Sequence, residues 1–527
     1  MGFLDVVEFD GGLRGLWQLH GNWTHVLALL SILLAIHLSA QAVYRLWFHP
    51  LSRFPGPWYM ALSSLPHQYT NHIRGTWVRH VTQLHIKYGP IIRIGPDKIS
   101  LDGSIGWNAV YGHRPGSGER AIEFPKMPSI FPDGKLSLIT AEKTVHRRQR
   151  RQLAHGFSDS ALTSQEPVLM RYVDLLLGCL AERVPENDDG KGGVVEIVSW
   201  LNVVTLDIIG HLAFSEPFSC LAKDGHREPW MLSVTEGIRG VGFRRFSQAY
   251  PLLGWIFEKL GNSRAVRSLD VVRQASQEKA ASRLARPSDE GENDFMAYMM
   301  RRTRDGAEGM DRDEVMANAP TLVIAGSETT ASALSGFFFH VSQHPDVYAA
   351  LAAEIRGAFA AEDEIDLRRA ASLEYLQAVI NEVLRVYPPA AQTQPRVSPG
   401  DVIAGAYVPE GTLCYVHQYA TFRNPANFTD PDSFAPQRWL PSTHPLYESR
   451  FVDDRRAVFK PFSHGPRDCI GKNLAFAEMR LIISRILLRF DFALAHDQSD
   501  WFDKQVVLTL WSKGPLYIRL QRRQLEP

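Results

Sequence analysis

Phe462-Ser463-His464-Gly465-Pro466-Arg467-Asp468-Cys469-Ile470-Gly471 is the stretch on which the reading of this chain turns. Its glycines and proline force an irregular loop. The KNLAFAEMRLIISRILL that follows repeats apolar residues at helical spacing. Cys469 therefore stands where a loop enters a helix, where the helix dipole lowers a thiol pKa and favours thiolate. Backbone N–H groups of that first turn can also donate to the sulfur and tune a metal bound there. The competing reading is a buried structural cysteine, the better bet for an arbitrary Cys. Cys179, Cys220, Cys414 and Cys469 lie far apart with no CxxC spacing, which excludes a disulfide scaffold and a zinc ribbon.

Upstream, Asn381-Glu382-Val383-Leu384-Arg385 sets Glu382 and Arg385 three apart, so their side chains meet on a helix. Taken alone this is an ordinary solvated ion pair. Ala319–Phe339, APTLVIAGSETTASALSGFFF, has one charge, Glu328. It reads as a membrane span or a core helix, and Pro320, two internal glycines and several Ser/Thr favour the core. A lone carboxylate beside Thr329 in such a helix is a candidate functional group. Lys143–Arg151, KTVHRRQRR, reads as a basic helix face.

Val26–Val43 carries no formal charge, and Trp23, Tyr44, Trp47 and Phe48 flank it, giving about 20 to 25 residues that can cross hydrocarbon as a helix. A cleavable signal peptide fits poorly, because Met1–Asn22 contains Asp5, Glu8 and Asp10 and no small-residue cleavage site follows. Arg45, Arg53, Arg74, Arg79 and Lys87 follow the span with no acid before Asp97, which leaves the N-terminus lumenal and the body cytosolic. The organisation expected is a short lumenal N-terminus (1–25), a transmembrane anchor (26–47), a hinge stiffened by Pro50, Pro55 and Pro57 (48–58), and one catalytic body (59–527). Asn22-Trp23-Thr24 is a lumenal sequon against the bilayer, and Asn427-Phe428-Thr429 would be cytosolic and inert.

Helical periodicity dominates the body near 76–88, 142–154, 165–183, 198–212, 264–286, 311–343, 346–360, 372–386 and 469–490. Strands are few: Ile91–Ile94 with Lys98–Leu101, Thr412–His417, and Val506–Leu510 with Leu516–Leu520. Gly192-Gly193 and Pro287–Asp294 read as surface loops. The fold class is mainly α. With 57 Lys+Arg against 57 Asp+Glu the 527-residue chain has no net charge, which argues against a nucleic-acid partner. A 45% apolar, 22% charged composition excludes wholesale disorder.

The cysteine loop matches, at every specified position, the Phe-x-x-Gly-x-Arg-x-Cys-x-Gly haem signature of the cytochrome P450 family, which this chain resembles. By composition the match arises by chance roughly once in ten thousand such chains. Glu382 and Arg385 fall where that family has its Glu-x-x-Arg pair. Pro436-Gln437-Arg438-Trp439 resembles the Pro-x-Arg-aromatic segment, with Trp for the commoner Phe. Ala325-Gly326-Ser327-Glu328-Thr329-Thr330 resembles the motif of the family's long distal helix. Arg150 stands where the family has Trp-x-x-x-Arg, with His146 in place of Trp, and Pro395-Arg396 where another propionate-binding Arg is common. Tyr44–Trp58 and Ile91–Ser100 further resemble filamentous-fungal members that act on polyketides, terpenoids or alkaloids.

The resemblance implies the cytochrome P450 fold: a large helical domain with a small β-containing subdomain, preceded by one transmembrane helix. It implies haem b with Cys469 as the axial thiolate, Phe462 beside the sulfur, and Arg467, Arg150, Arg396 and His146 toward the propionates. Gly326 would leave room for dioxygen, and Glu328 and Thr329 would relay protons. Glu382, Arg385 and Arg438 would form a structural network. A small apolar substrate and O2 are expected, with NADPH used through a cytochrome P450 reductase and cytochrome b5 as an optional second donor, at the endoplasmic reticulum membrane. The pocket is expected around Met127–Leu138, Val323–Gly326 and Gln392–Val397. Two other functions compete: a haem-thiolate isomerase or dehydratase that does not use dioxygen, and a non-catalytic membrane-tethered haem binder.

Overall fold

The computed structural model describes residues 11–113, 123–128, 137–185, 192–222, 229–257, 259, 263–286, 294–301 and 309–523. The principal helices are α1 (Gly11–Val43), α2 (Trp77–Tyr88), α3 (Lys143–Ala154), α4 (Asp159–Glu182), α5 (Ile197–Phe214), α6 (Pro229–Ala249), α7 (Ser263–Leu284), α8 (Arg312–Gln343), α9 (Pro345–Ala358), α10 (Glu374–Val386) and α11 (Lys472–Arg489).

Helix α8 begins with a reciprocal capping box: Asp311 accepts from the Glu314 N–H, and the Glu314 side chain accepts from the Asp311 N–H. Nearly every face of α8 is buried, as is α5, so both are apolar all round instead of striped. Both are long and apolar enough to cross a membrane, yet 78% of the α8 window and 83% of the α5 window lie inside the protein. The Trp23–Phe48 segment has none of its window buried, which suggests a single-pass membrane anchor. One continuous core joins α4, α5, α8, α9, α10 and α11.

The β component is small. Strands β1 (Ile91–Gly95) and β2 (Lys98–Leu101) form a hairpin, and β2 pairs in parallel with β7 (Leu413–Val416), which pairs antiparallel with β4 (Arg396–Val397). A second sheet has the order β3 (Gly193–Glu196), β11 (Tyr517–Arg522), β8 (Phe490–Leu494). Two short hairpins remain: β5 (Asp401–Ile403) with β6 (Ala406–Val408), and β9 (Val506–Val507) with β10 (Trp511–Ser512).

Several expectations differ from this. Helix α6 was not anticipated, because its glycines and arginines blur the apolar spacing. Val506–Val507 pairs with Trp511–Ser512, while the 516–520 segment joins β3 and β8. Gly193 opens a strand, and only Gly192, at φ +64°, is loop-like. Of the expected loop Pro287–Asp294, residues 287–293 lie outside the described residues, and Asp294 caps the helix that follows. Asn427 cannot carry a glycan: it is buried, and its amide donates to Asp102 and to the Thr421 carbonyl.

Candidate active site

Helix α11 starts at Lys472, so Cys469 lies in the loop ahead of it, three residues from the first helical one. A single 3-10 turn, Gly465–Arg467, shapes that loop, and the Cys469 N–H closes it by donating to the Phe462 carbonyl at 2.9 Å. Gly465 has φ +81°, and a β-carbon there would fall 2.0 Å from the Tyr111 carbonyl oxygen, so only glycine lets the loop lie against that backbone. The Phe462 ring sits 5.2 Å from that of Phe476. Cys469 is accessible, although protein crowds its sulfur. Burial pushes its thiol pKa up, and the Gly471 N–H, Arg150 and Lys472 pull down by less. Asp468 adds to the upward push, so in the metal-free protein burial and its neighbouring carboxylate set the direction. A metal ion reverses that balance, since a coordinating thiol is deprotonated outright.

Five basic residues converge beside this loop. Arg150 donates to the Asp468 carbonyl at 2.6 Å and to its carboxylate at 2.5 Å. Arg467 pairs with Glu123 and donates to the Ala141 carbonyl at 2.7 Å. Lys126 bridges to Arg396 through the backbone and gives its Nζ to the Ile139 carbonyl at 2.5 Å. Arg396 is buried, and its Nε and Nη1 have no acceptor among the described residues. His146 is buried too. Burial first, then Arg467, Lys126, Arg150 and Arg396, push its pKa down to about 3, so it stands neutral. Lys126 falls to about 6, from burial first and then Arg396 and Arg467. Among these groups three guanidinium cations face two acids, Glu123 and Asp468, and Lys126 is charged only below about pH 6. One unmatched positive charge, with buried N–H groups on Arg396 that find no acceptor among the described residues, is the chemistry of an anion-binding site.

The long helix α8 presents a different surface. Most of its residues are buried, but Thr321, Ala325 and Thr329, four apart and hence on one face, stay accessible. Thr329 Oγ1 donates to the Ala325 carbonyl at 2.7 Å. Val323, expected to line the pocket, is wholly buried on the core side. Gly326 also differs from expectation: a β-carbon there would come within 2.6 Å of Ile209, so its missing side chain lets α5 approach α8. Glu328 turns away from the accessible face and is buried in an ion pair with Lys513, whose Nζ lies 2.5 Å from Oε1. Of the expected pocket loop Met127–Leu138, residues 129–136 lie outside the described residues. In Gln392–Val397, Gln392 and Thr393 are tied to Asn71 and to the Val416 carbonyl.

The sequence profile described as Cytochrome P450 matches residues 54–518. The chain belongs to the cytochrome P450 family. Averantin hydroxylase of Dothistroma septosporum is 39% identical over 492 residues, covering 92% of this chain and 89% of that protein. Cytochrome P450 monooxygenase aclL of Aspergillus oryzae is 38% identical over 493 residues, covering 93% and 96%. Cytochrome P450 monooxygenase stcF of Emericella nidulans is 35% identical over 503 residues, covering 94% and 99%. This chain is a cytochrome P450 monooxygenase, and its relatives are fungal P450s of secondary metabolism.

The P450 family implies a haem held through a thiolate, and the residues present fit it. Cys469 is an exposed residue, and the neighbouring unmatched positive charge, with Arg396 Nε and Nη1 lacking acceptors among the described residues and Lys126 able to take up a proton, suits the two propionates that haem carries. The P450 core also holds Glu382, Arg385 and Arg438 together, each with at most 1% of its side chain exposed. Glu382 accepts from Arg385 Nε and Nη2 at 2.9 and 2.8 Å and from Arg438 Nε at 3.1 Å. Trp439 Nε1 at 2.9 Å and the Ala435 N–H at 2.8 Å complete its acceptor set. The solvated-pair reading of Glu382 and Arg385 is thereby excluded. Sequence reasoning did not single out Lys126, Lys513 or Asp454, which pairs with Arg438 at 2.5 Å. A lysine immediately past a short strand carries no local signal.

Proposed function

We propose that this P450 is anchored in the endoplasmic reticulum membrane by α1, takes electrons from NADPH through a reductase, and hydroxylates or otherwise oxidises a small apolar substrate in a fungal secondary-metabolite pathway. The observation that carries the reading is the accessible Cys469 beside a buried basic cluster with unmatched charge. Cys469 would hold haem b through its thiolate, and the bound group would supply the dioxygen-activating chemistry.

The protein's own groups do the rest. Arg150, Arg396, Arg467, Lys126 and the neutral His146 bind and orient the anionic edge of the cofactor. Thr329 has its hydroxyl proton committed to the Ala325 carbonyl, which leaves its oxygen lone pairs to accept a hydrogen bond on the accessible face of α8. Glu328, one residue earlier, holds the exchangeable carboxyl that feeds protons toward Thr329. Accessible apolar Ile324 and Ala325 keep that face dry. Arg45 and the cations that follow α1 hold the body on the cytosolic side.

The test is the thiolate-type ferrous–CO spectrum of the full-length protein in microsomes, with Cys469→Ala as control. The spectrum is expected in the parent and absent in C469A, and identical behaviour of the two refutes the reading. A substrate panel starting with averantin, the compound for which one relative is named, is then scanned for the low-to-high-spin shift.

A further inference from the structure

Helix α8 buries Glu328, and what meets it comes from 185 residues away. Lys513 follows β10, and all three of its ammonium hydrogens have acceptors: Glu328 Oε1 at 2.5 Å, Ser332 Oγ at 2.9 Å and Asn202 Oδ1 at 3.4 Å. Only 3% of the Lys513 side chain and 4% of that of Glu328 are exposed. The hairpin that carries Lys513 is itself pinned. Trp511 donates to the Pro388 carbonyl at 2.8 Å and stacks on Tyr387 at 4.7 Å, and the Val507 N–H donates to the Gly75 carbonyl at 2.8 Å. A long flexible lysine is thereby fixed at a single point.

We propose that Lys513 is a positioning residue for the distal acid: it clamps Glu328 as a carboxylate turned away from Thr329, and proton delivery requires Glu328 to exchange the Lys513 ammonium for water. This rests on the reading of Glu328 and Thr329 as the proton relay. Lys513 keeps its own protons throughout. The proton that moves is one the Glu328 carboxyl takes from water and gives up toward Thr329, and Ser332 and Asn202 hold the ammonium while the carboxyl is away. Removing the cation leaves a buried carboxylate without a partner, which is resolved by protonation.

Three variants test this in the full-length, reductase-supplied protein: K513Q, E328Q and the doubly neutral K513M/E328Q, which leaves no buried charge and so folds. Difference infrared spectroscopy of the resting protein against the parent at neutral pH, which cancels the carboxyl of Glu478 held protonated by burial at a pKa of about 8, is expected to show an added protonated-carboxyl band in K513Q and none in K513M/E328Q. Product formed per NADPH is expected to fall at least threefold in K513Q, with hydrogen peroxide making up the difference, and K513R is expected to restore at least half. The double variant is expected to couple no worse than E328Q. A K513Q protein with parental coupling, the lack of the infrared band, or a double variant well below E328Q each overturns the clamp. Parental coupling in E328Q instead overturns the relay reading beneath it. Loss of coupling in E328Q but not in K513Q leaves the relay standing and removes the clamp.

Discussion

Replacing Glu382 by glutamine is the sharpest perturbation of the scaffold. Five N–H groups converge on its carboxylate: Arg385 Nη2, Arg438 Nε and the Ala435 N–H on Oε1, and Arg385 Nε with the Trp439 indole on Oε2. Burial pushes its pKa up, but Arg385 and then Arg438 pull harder and hold it below 4.5. Glutamine keeps one oxygen. In the cheaper orientation that oxygen takes the Oε1 position, and the new NH2 then faces two other N–H donors. Two hydrogen bonds are lost; Arg438 keeps Asp454 as its acid, while Arg385 is left with the Phe422, Pro431 and Ser433 carbonyls. Removing one partner of a buried ion pair costs about 3–5 kcal/mol, against a total stability of about 5–15 kcal/mol.

Urea unfolding followed by tryptophan fluorescence at pH 7.5 measures this loss directly. E382Q is expected about 3–5 kcal/mol below the parent, and Trp439→Phe, which removes one hydrogen bond, about 1 kcal/mol below. The pH dependence has a definite sign. Because the folded pKa is depressed, the unfolded chain binds the proton more readily, so the contribution is complete above 4.5 and is lost as pH falls through the folded pKa. The gap between parent and E382Q is therefore expected to narrow below pH 4.5. An E382Q protein within 1 kcal/mol of the parent, or W439F as costly as E382Q, would refute the reasoning.

Three further outcomes follow from the same geometry. A directed chain runs from the Trp77 indole to His417 Nε2 at 2.9 Å, from His417 Nδ1 to Ser100 at 2.8 Å, from Ser100 to His85 Nε2 at 2.7 Å and from His85 Nδ1 to the Gly89 carbonyl at 3.0 Å, which fixes both rings as neutral tautomers. Burial, with a smaller push from His85, lowers the His417 pKa to about 3, so stability is complete above 6.5 and is lost as pH falls toward 3; urea melts at pH 7.5 and 5.5 should show His417→Gln losing about 1.4 kcal/mol less than the parent. Lys126→Met removes an amine that burial, then Arg396, Arg467 and Arg150, keep from ionising, so scanning calorimetry should find the haem-free protein more stable, and haem titration, where bound propionates would recharge that amine in the parent, should find weaker binding. Gly326→Ala drives a methyl to 2.6 Å from Ile209 and is expected to cost about 1–3 kcal/mol in urea melts, with Ile209→Ala relieving much of it in the double variant.

What the sequence disclosed and what it withheld divide along a physical line. The Cys469 loop was legible because its glycines and proline are punctuation that no helix tolerates, and because one nucleophilic atom in ten residues has few uses. Helices α8 and α11 were legible because burial writes itself into apolar spacing over five or more turns. Glu382 and Arg385 were legible as neighbours but not as a buried pair, since the three-residue spacing is the same in water and in the core. What separates the two cases is Arg438 and Trp439, brought from 56 and 57 residues away.

The pattern in α8 shows why the remainder was not legible. An apolar helix with a lone Glu328 announces that something must compensate the charge, and the adjacent Thr329 invites the answer that chemistry does. Periodicity cannot say which way consecutive side chains point relative to partners outside the helix. Thr329 and Glu328 are about 100° apart around its axis, enough to put one on the accessible face and the other against Lys513. The same limit applies at Gly326, where a missing side chain serves either a ligand or a packed neighbour, and only the position of Ile209 decides. A lone charge in an apolar helix thus predicts a partner with far more security than it predicts a role. In this P450 the partner is the lysine that follows a two-residue strand near the end of the chain, and any proton that reaches Thr329 by way of Glu328 has to reckon with it.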